Sequence, residues 1–183
     1  MAGRLIPLVV ESVRVHMPSS RHVVILKDAE RERYLPIWIG PWEASAIAMR
    51  LQGMTPERPL THDLFASTLN ELGVRIDQVV ITDLADETFH ARLVMEASGR
   101  MVELDSRPSD ALALAVRANA PIFAAEGVME QAGLDADSGA SAETATELER
   151  TGERIPDAKL AMFREFVNSL DADTEGESVD RGS

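Results

Sequence analysis

The segment "LDSRPSDALALAVRANAPIF", residues 104–123, decides the fold. After Ser109 only Asp110, Arg117 and Asn119 interrupt an apolar run, and a helix that is apolar nearly all round is usually buried. Pro121 stops that helix, and "PIF" predicts a return to a sheet. The segment therefore predicts a buried helix over about 108–120 between two strands. Its polar start, "SRPSD", is either a helix N-terminus alone or the place where chemistry occurs.

A hairpin is predicted directly before this helix, over "TFHARLVMEASGRMVELDSR" (88–107), where apolar and polar residues alternate. A two-residue turn at Ser98-Gly99 sets its register. On the apolar face this register pairs residue 95 with 102 and residue 93 with 104. On the other face Arg92 lies across from Asp105 and His90 lies across from Arg107, so charged residues lead into "SRPSD".

The rest of the chain completes an α+β fold class with a mixed, largely antiparallel sheet or sheets and three to five helices. Strands are predicted at 5–16, 22–28 and 33–40, and helices at about 41–52, 61–73 and 126–134. This domain spans 1–134. An acidic flexible linker (135–153), a C-terminal helix (154–171) and a disordered tail (172–183) are predicted to follow.

Composition excludes several classes of protein. The chain has no cysteine, which excludes disulfides and thiolate metal sites. No apolar run approaches a membrane span or a signal peptide, so a cytoplasmic protein without membrane contact is expected. The net charge is −13, of which −8 falls in residues 135–183. This is not the basic surface of a duplex-binding protein, so nucleic acid would have to meet a local basic patch or a metal ion.

Two segments resemble each other, "RPLTHDL" (58–64) and "RPSDALAL" (107–114), which indicates either an internal duplication or a common way to begin a helix. On helix physics, Thr61 and Ser109 (or Ser106) are predicted caps, and Asp63 and Asp110 complement the helix dipole.

The same geometry also permits chemistry. Free N–H groups at a helix start attract anions, and Arg58 and Arg107 add phosphate donors. Carboxylates at Asp63, Asp105 and Asp110 can hold Mg²⁺ or Mn²⁺, with Glu43 as a further ligand. His62, or alternatively His90, can act as general acid or base. Trp38 and Trp42 are either base-stacking residues or ordinary core and interface residues. No P-loop, GxGxxG or HExxH motif is present, and no organic cofactor is expected.

An ordered set of motifs now resembles a known family: "LPIWIGPWEASAIAMRLQG", "RPLTHDL", "LGVRIDQVVITDLADETFHARL", "DSRPSDALALAVR" and "PIFAAEGVME". Over about residues 5–134 the chain resembles the bifunctional nuclease, or DNase-RNase domain, family. The resemblance implies an oligomeric α+β domain with nuclease activity on DNA and RNA. The C-terminal UVR motif of some relatives has no convincing copy here.

The resemblance points to motif positions, to which we assign roles. The predicted catalytic residues are His62, Asp63, Asp105 and Asp110. The predicted substrate-binding residues are Arg58, Arg107 and Ser109. The predicted metal ligands are Glu43, Asp63, Asp105 and Asp110, and Asp83 is a further motif position. The first hypothesis is a metal-assisted phosphodiesterase of low sequence specificity acting on DNA and RNA, in a homo-oligomer, with a dimer favoured. The alternatives are a non-catalytic binding or regulatory domain and an enzyme that acts on a small anionic substrate.

Overall fold

A computed structural model describes residues 3–16 and 21–135. The elements follow in chain order: β1 (Leu5–His16), β2 (Arg21–Asp28), β3 (Arg33–Ile39), α1 (Pro41–Leu51), α2 (Thr61–Glu71), β4 (Val74–Ala85), β5 (Thr88–Ala97), β6 (Arg100–Ser106), α3 (Pro108–Ala118), β7 (Ile122–Ala125), α4 (Glu126–Ala132) and β8 (Leu134–Asp135). The predicted linker beyond Asp135, the C-terminal helix and the tail lie outside the described residues.

The strands form one eight-stranded sheet in the order β6-β5-β4-β7-β1-β2-β3-β8. Within the described part of the chain, β4 and β7 are parallel, and all other neighbouring strands are antiparallel. The predicted α+β class with a mixed, largely antiparallel sheet is confirmed.

The order of elements occurs twice. A three-stranded antiparallel meander ends in a helix, first as β1-β2-β3-α1 and then as β4-β5-β6-α3. Strand β7 joins the two meanders, because it lies between β4 and β1. This repetition matches α1 with α3, whereas the repeat predicted from the sequence matched the start of α2 with the start of α3.

The β5–β6 hairpin has the predicted register. Arg92 is opposite Asp105, and Leu93 is opposite Leu104. Ser98 and Gly99 have φ values of 52° and 77°, the left-handed pair of a type I′ turn. The same register ends β6 at Ser106, so Arg107 lies beyond the strand and is not paired with His90.

Helix α3 is the buried helix that the sequence predicts. Seven of its eleven residues are buried, and its apolar side chains pack in one core with alternate residues of the strands and with Ile47 of α1. Helix α2 differs, because none of its residues is buried. No helix among the described residues is long and apolar enough to span a membrane.

Candidate functional site

The first turns of α1 and α3 meet through one arginine. Each helix begins with a proline, which suits the first helical position, and has an acidic residue in its first turn, Glu43 or Asp110. Arg107 is the residue before α3 and has an extended backbone. Its Nε donates to Asp110 Oδ2 at 2.7 Å and its Nη2 donates to Glu43 Oε1 at 2.9 Å. Arg107 therefore ties the two helix starts together.

Gly40 provides the space for this contact. A Cβ atom at position 40 would collide with the Glu43 carboxylate. The "GPWE" sequence thus places a small residue, a helix-starting proline and the Arg107 acceptor in one turn.

His62 reaches the same carboxylate from α2. Its Nε2 lies 3.0 Å from Asp110 Oδ1, and its side chain is 16% exposed. Burial alone would raise the pKa of Asp110, but hydrogen bonds from Arg107 and His62, with their charges, outweigh burial and lower it. Asp110 is therefore a carboxylate, which can only accept hydrogen bonds. It follows that His62 donates its Nε2–H to Asp110.

We call these four residues at the helix starts the helix-end cluster: Glu43, His62, Arg107 and Asp110. Asp110 and Arg107 hold its centre, and three helix starts supply its members. The Arg107 side chain is 68% exposed although it makes two ion pairs. The cluster therefore offers solvent a guanidinium that shares Asp110 with His62, and a guanidinium is the side-chain group best shaped to bind phosphate oxygens.

A second ion pair, Asp63–Arg117, also joins α2 to α3. Arg117 Nε donates to Asp63 Oδ1 at 2.6 Å, and its other nitrogens donate to the carbonyl oxygens of Ala113 and Ala46. Asp63 also accepts the backbone N–H of Leu60 at 2.9 Å. Burial would raise the pKa of Asp63, but the bonds from Arg117 and Leu60 outweigh it and lower the pKa. The Arg117 side chain is only 7% exposed, so this pair fastens α1, α2 and α3 together.

Sequence reasoning did not include Arg117 in the site. The signal was present, because Arg117 follows Asp110 by seven residues, and two helical turns place both on one face of α3. A lone arginine in an otherwise apolar helix also requires an acceptor nearby. The sequence did not show which carboxylate would supply it.

The other predicted site residues lie outside the helix-end cluster. Arg58 is exposed in the segment before α2, and Asp105 is exposed on β6. Neither makes an ion pair or side-chain hydrogen bond with another residue in the described part of the chain. Ser109 is buried at the second position of α3. Asp83 and His90 are exposed and opposite each other on β4 and β5.

The predicted caps are wrong. The residues before α2 and α3 are Leu60 and Arg107, and neither Thr61 nor a serine accepts a capping bond from the helix start. Helix α3 begins instead with Pro108, which has no N–H to satisfy. At the start of α2, the Asp63 carboxylate accepts the Leu60 N–H. Thr61 and Ser109 lie inside their helices, at the first and second positions, and Ser106 lies one residue before Arg107, so none of them is at the N-cap position.

The observed donor set does not fit a divalent ion. Glu43 and Asp110 accept from Arg107, and Asp63 accepts from Arg117. An arginine thus binds one oxygen of each of these three carboxylates and would compete with Mg²⁺ or Mn²⁺ for them. Across residues 3–16 and 21–135, no three His, Asp or Glu side chains come together in a way that could hold a metal. The Mg²⁺ or Mn²⁺ site stays a prediction.

Fold and site together define a class of protein: an α+β domain with a repeated βββα order and a charged cluster where its helices begin. A family model, the bifunctional nuclease domain, matches residues 24–137. The matched segment covers more than half of the chain and includes the whole helix-end cluster. The chain belongs to the bifunctional nuclease domain family.

The chain is also similar to individual proteins from a bacterium and a plant. The chain is similar to an uncharacterized protein of Mycobacterium tuberculosis, with 38% identity over 164 residues, covering 90% of this chain and 94% of the relative. It is also similar to Bifunctional nuclease 1 of Oryza sativa subsp. japonica, with 24% identity over 114 residues, covering 60% of this chain. This chain spans 34% of the length of that plant protein.

Proposed function

We propose that this protein is a nuclease that hydrolyses phosphodiester bonds of DNA and RNA with low sequence specificity. The observation that carries the proposal is the His62–Asp110 pair, in which Asp110 also binds the exposed Arg107 guanidinium. The chain that holds this pair belongs to the bifunctional nuclease domain family. A cytoplasmic location stays a prediction.

The cluster provides two of the functions that phosphodiester hydrolysis needs. Arg107 binds the non-bridging phosphate oxygens, and its charge stabilises the transition state. Asp110 orients His62, whose Nδ1 accepts a proton from the attacking water. The water oxygen forms a bond to phosphorus while the bond to the leaving sugar oxygen breaks, and that oxygen takes a proton from solvent. Glu43 holds Arg107 in place without touching substrate.

The experiment compares wild-type protein with Arg107→Ala and His62→Gln on end-labelled DNA and RNA strands. Arg92→Ala is the matched control, because Arg92 is also exposed and paired with a glutamate, Glu103, but lies on the β5–β6 hairpin. Both cluster variants are expected to lose at least about 100-fold in rate, the low end for removing a general base or a transition-state donor. Arg92→Ala is expected to retain the wild-type rate.

Each preparation is assayed with EDTA, with Mg²⁺ and with Mn²⁺. These conditions test the predicted divalent ion separately from the helix-end cluster. If Arg107→Ala retains a metal-dependent rate of cleavage, the reaction occurs at a site other than the cluster. Equal rates for wild-type protein, Arg107→Ala and His62→Gln under every condition would refute the proposed nuclease site.

One observation favours a second candidate, a non-catalytic binding or regulatory domain. Asp63 and Asp110 are both held by arginines, as structural residues would be. Under this alternative, Asp110→Ala lowers the melting temperature and leaves any nuclease rate unchanged. Asp110→Ala therefore separates the two candidates. A nuclease is expected to lose both rate and stability in this variant, whereas a binding or regulatory domain is expected to lose stability alone.

A further inference from the structure

Trp42 is the most exposed large apolar side chain among the described residues, with 84% of its surface accessible. Tryptophan is usually well buried, because its large ring gains the most from leaving water. The core contacts of α1 are made by Ala44, Ala46 and Ile47, so Trp42 is not needed to hold its own helix. Its position requires another explanation.

Trp42 lies next to the helix-end cluster. The following residue, Glu43, accepts the Arg107 hydrogen bond. The exposed Arg107 guanidinium is therefore at the same first turn of α1 that carries the indole. A cation for phosphate and a flat aromatic ring for a base are the two groups with which proteins bind single-stranded nucleic acid.

The second tryptophan provides a contrast. Trp38 is partly buried on β3, and the Arg21 guanidinium covers its ring at 4.9 Å from the centroid. No comparable ring contact covers Trp42 in residues 3–16 and 21–135. Arg21 thus covers one indole, whereas the other is exposed, and only the exposed one lies in the helix turn whose Glu43 binds Arg107.

We propose that Trp42 is a stacking platform for an unpaired nucleobase whose phosphate binds Arg107. This rests on the proposed function and narrows its substrate to single-stranded or locally unpaired nucleic acid. Bases inside a duplex already stack on each other, so a surface indole can reach only a base outside the helix. The local cation also allows a chain of net charge −13 to bind a polyanion at this point.

The test measures binding of a fluorescein-labelled single strand, and of the blunt duplex that it forms with its complement, by fluorescence anisotropy. Trp42→Ala is expected to weaken single-strand binding by about 5- to 100-fold, the range for losing one stacked base. Trp42→Phe is expected to retain most of the affinity, and duplex binding is expected to change little in either variant. The matched control is Phe65→Ala, which removes an exposed ring from α2.

Two further measurements identify the stacking itself. In a Trp38→Phe protein, Trp42 is the sole tryptophan, and its fluorescence is expected to fall when the single strand binds. A strand with abasic sites is expected to bind wild-type protein and Trp42→Ala equally, since the base that would stack is missing.

Unchanged single-strand affinity in Trp42→Ala would overturn the stacking proposal, as would the absence of any single-strand binding by the wild type. If Trp42→Ala has a smaller mass in solution than the wild type but the same affinity for the single strand, Trp42 lies in an interface between two copies of the chain instead. The nuclease proposal is judged separately by rate. A wild-type protein that binds single strands through Trp42 but does not cut them supports stacking and refutes the nuclease.

Discussion

Arg107 and Arg117 both bind carboxylates of neighbouring helices, but the two side chains differ greatly in solvent exposure. Arg107 is largely exposed, and an exposed ion pair is worth about 0–1 kcal/mol. Arg117 is almost fully buried, and a buried charge left without its partner is costly. Arg107 can therefore be altered to test function, whereas the Asp63–Arg117 pair cannot be altered without loss of stability.

Asp63→Ala is expected to lower the free energy of unfolding by about 3 kcal/mol, the low end for breaking a buried pair. Urea unfolding measures it, with Glu103→Ala, from an exposed pair, as a control expected to cost under about 1 kcal/mol. The double variant Asp63→Leu with Arg117→Met is expected to lose less than Asp63→Ala alone, because no buried charge remains. Equal losses for Asp63→Ala and Glu103→Ala would show that Asp63 is not structural.

At the scale of elements, the sequence predicted what depends on neighbours along the chain. The Ser98-Gly99 turn determined the β5–β6 register, and the apolar run after Pro108 determined α3. Strand β8 was missed because two residues carry no periodic pattern. The contact between Glu43 and Arg107 could not be predicted, because the two residues are 64 positions apart and meet only when α1 and α3 pack side by side. Asp105 was included because it adjoins the motif, but it lies exposed on β6 and makes no ion pair with the helix starts.

Acid is expected to weaken the attachment of α2 to α3. The pKa values of Asp63 and Asp110 are lowered in the folded protein, so their contribution to stability is present above the unfolded value of about 4. It is lost as the pH falls through the lower folded values. Melting temperatures of wild-type protein and Asp110→Asn should therefore converge as the pH falls below about 4. Parallel curves across that range would contradict the assigned role of Asp110.

At the scale of the whole molecule, the predicted homo-oligomer stays a prediction. Light scattering is expected to give twice the chain mass of 20.0 kDa, as for the dimer that the sequence favoured. Raising the salt concentration should strengthen the association, because each chain carries a net charge of −13. A mass of 20.0 kDa at all salt and protein concentrations would refute the dimer.

Helix α2 brings His62 to the cluster without burying any residue of its own. Two ion pairs join its side chains to α3, His62–Asp110 and Asp63–Arg117, and Ala66 and Leu69 pack, partly buried, against the core. A segment held mainly by partly exposed contacts is expected to open locally at a lower free energy than global unfolding. The His–Asp pair is therefore expected to separate before the sheet unfolds. A melting temperature that reports on the sheet would then overstate the range in which His62 and Asp110 remain together.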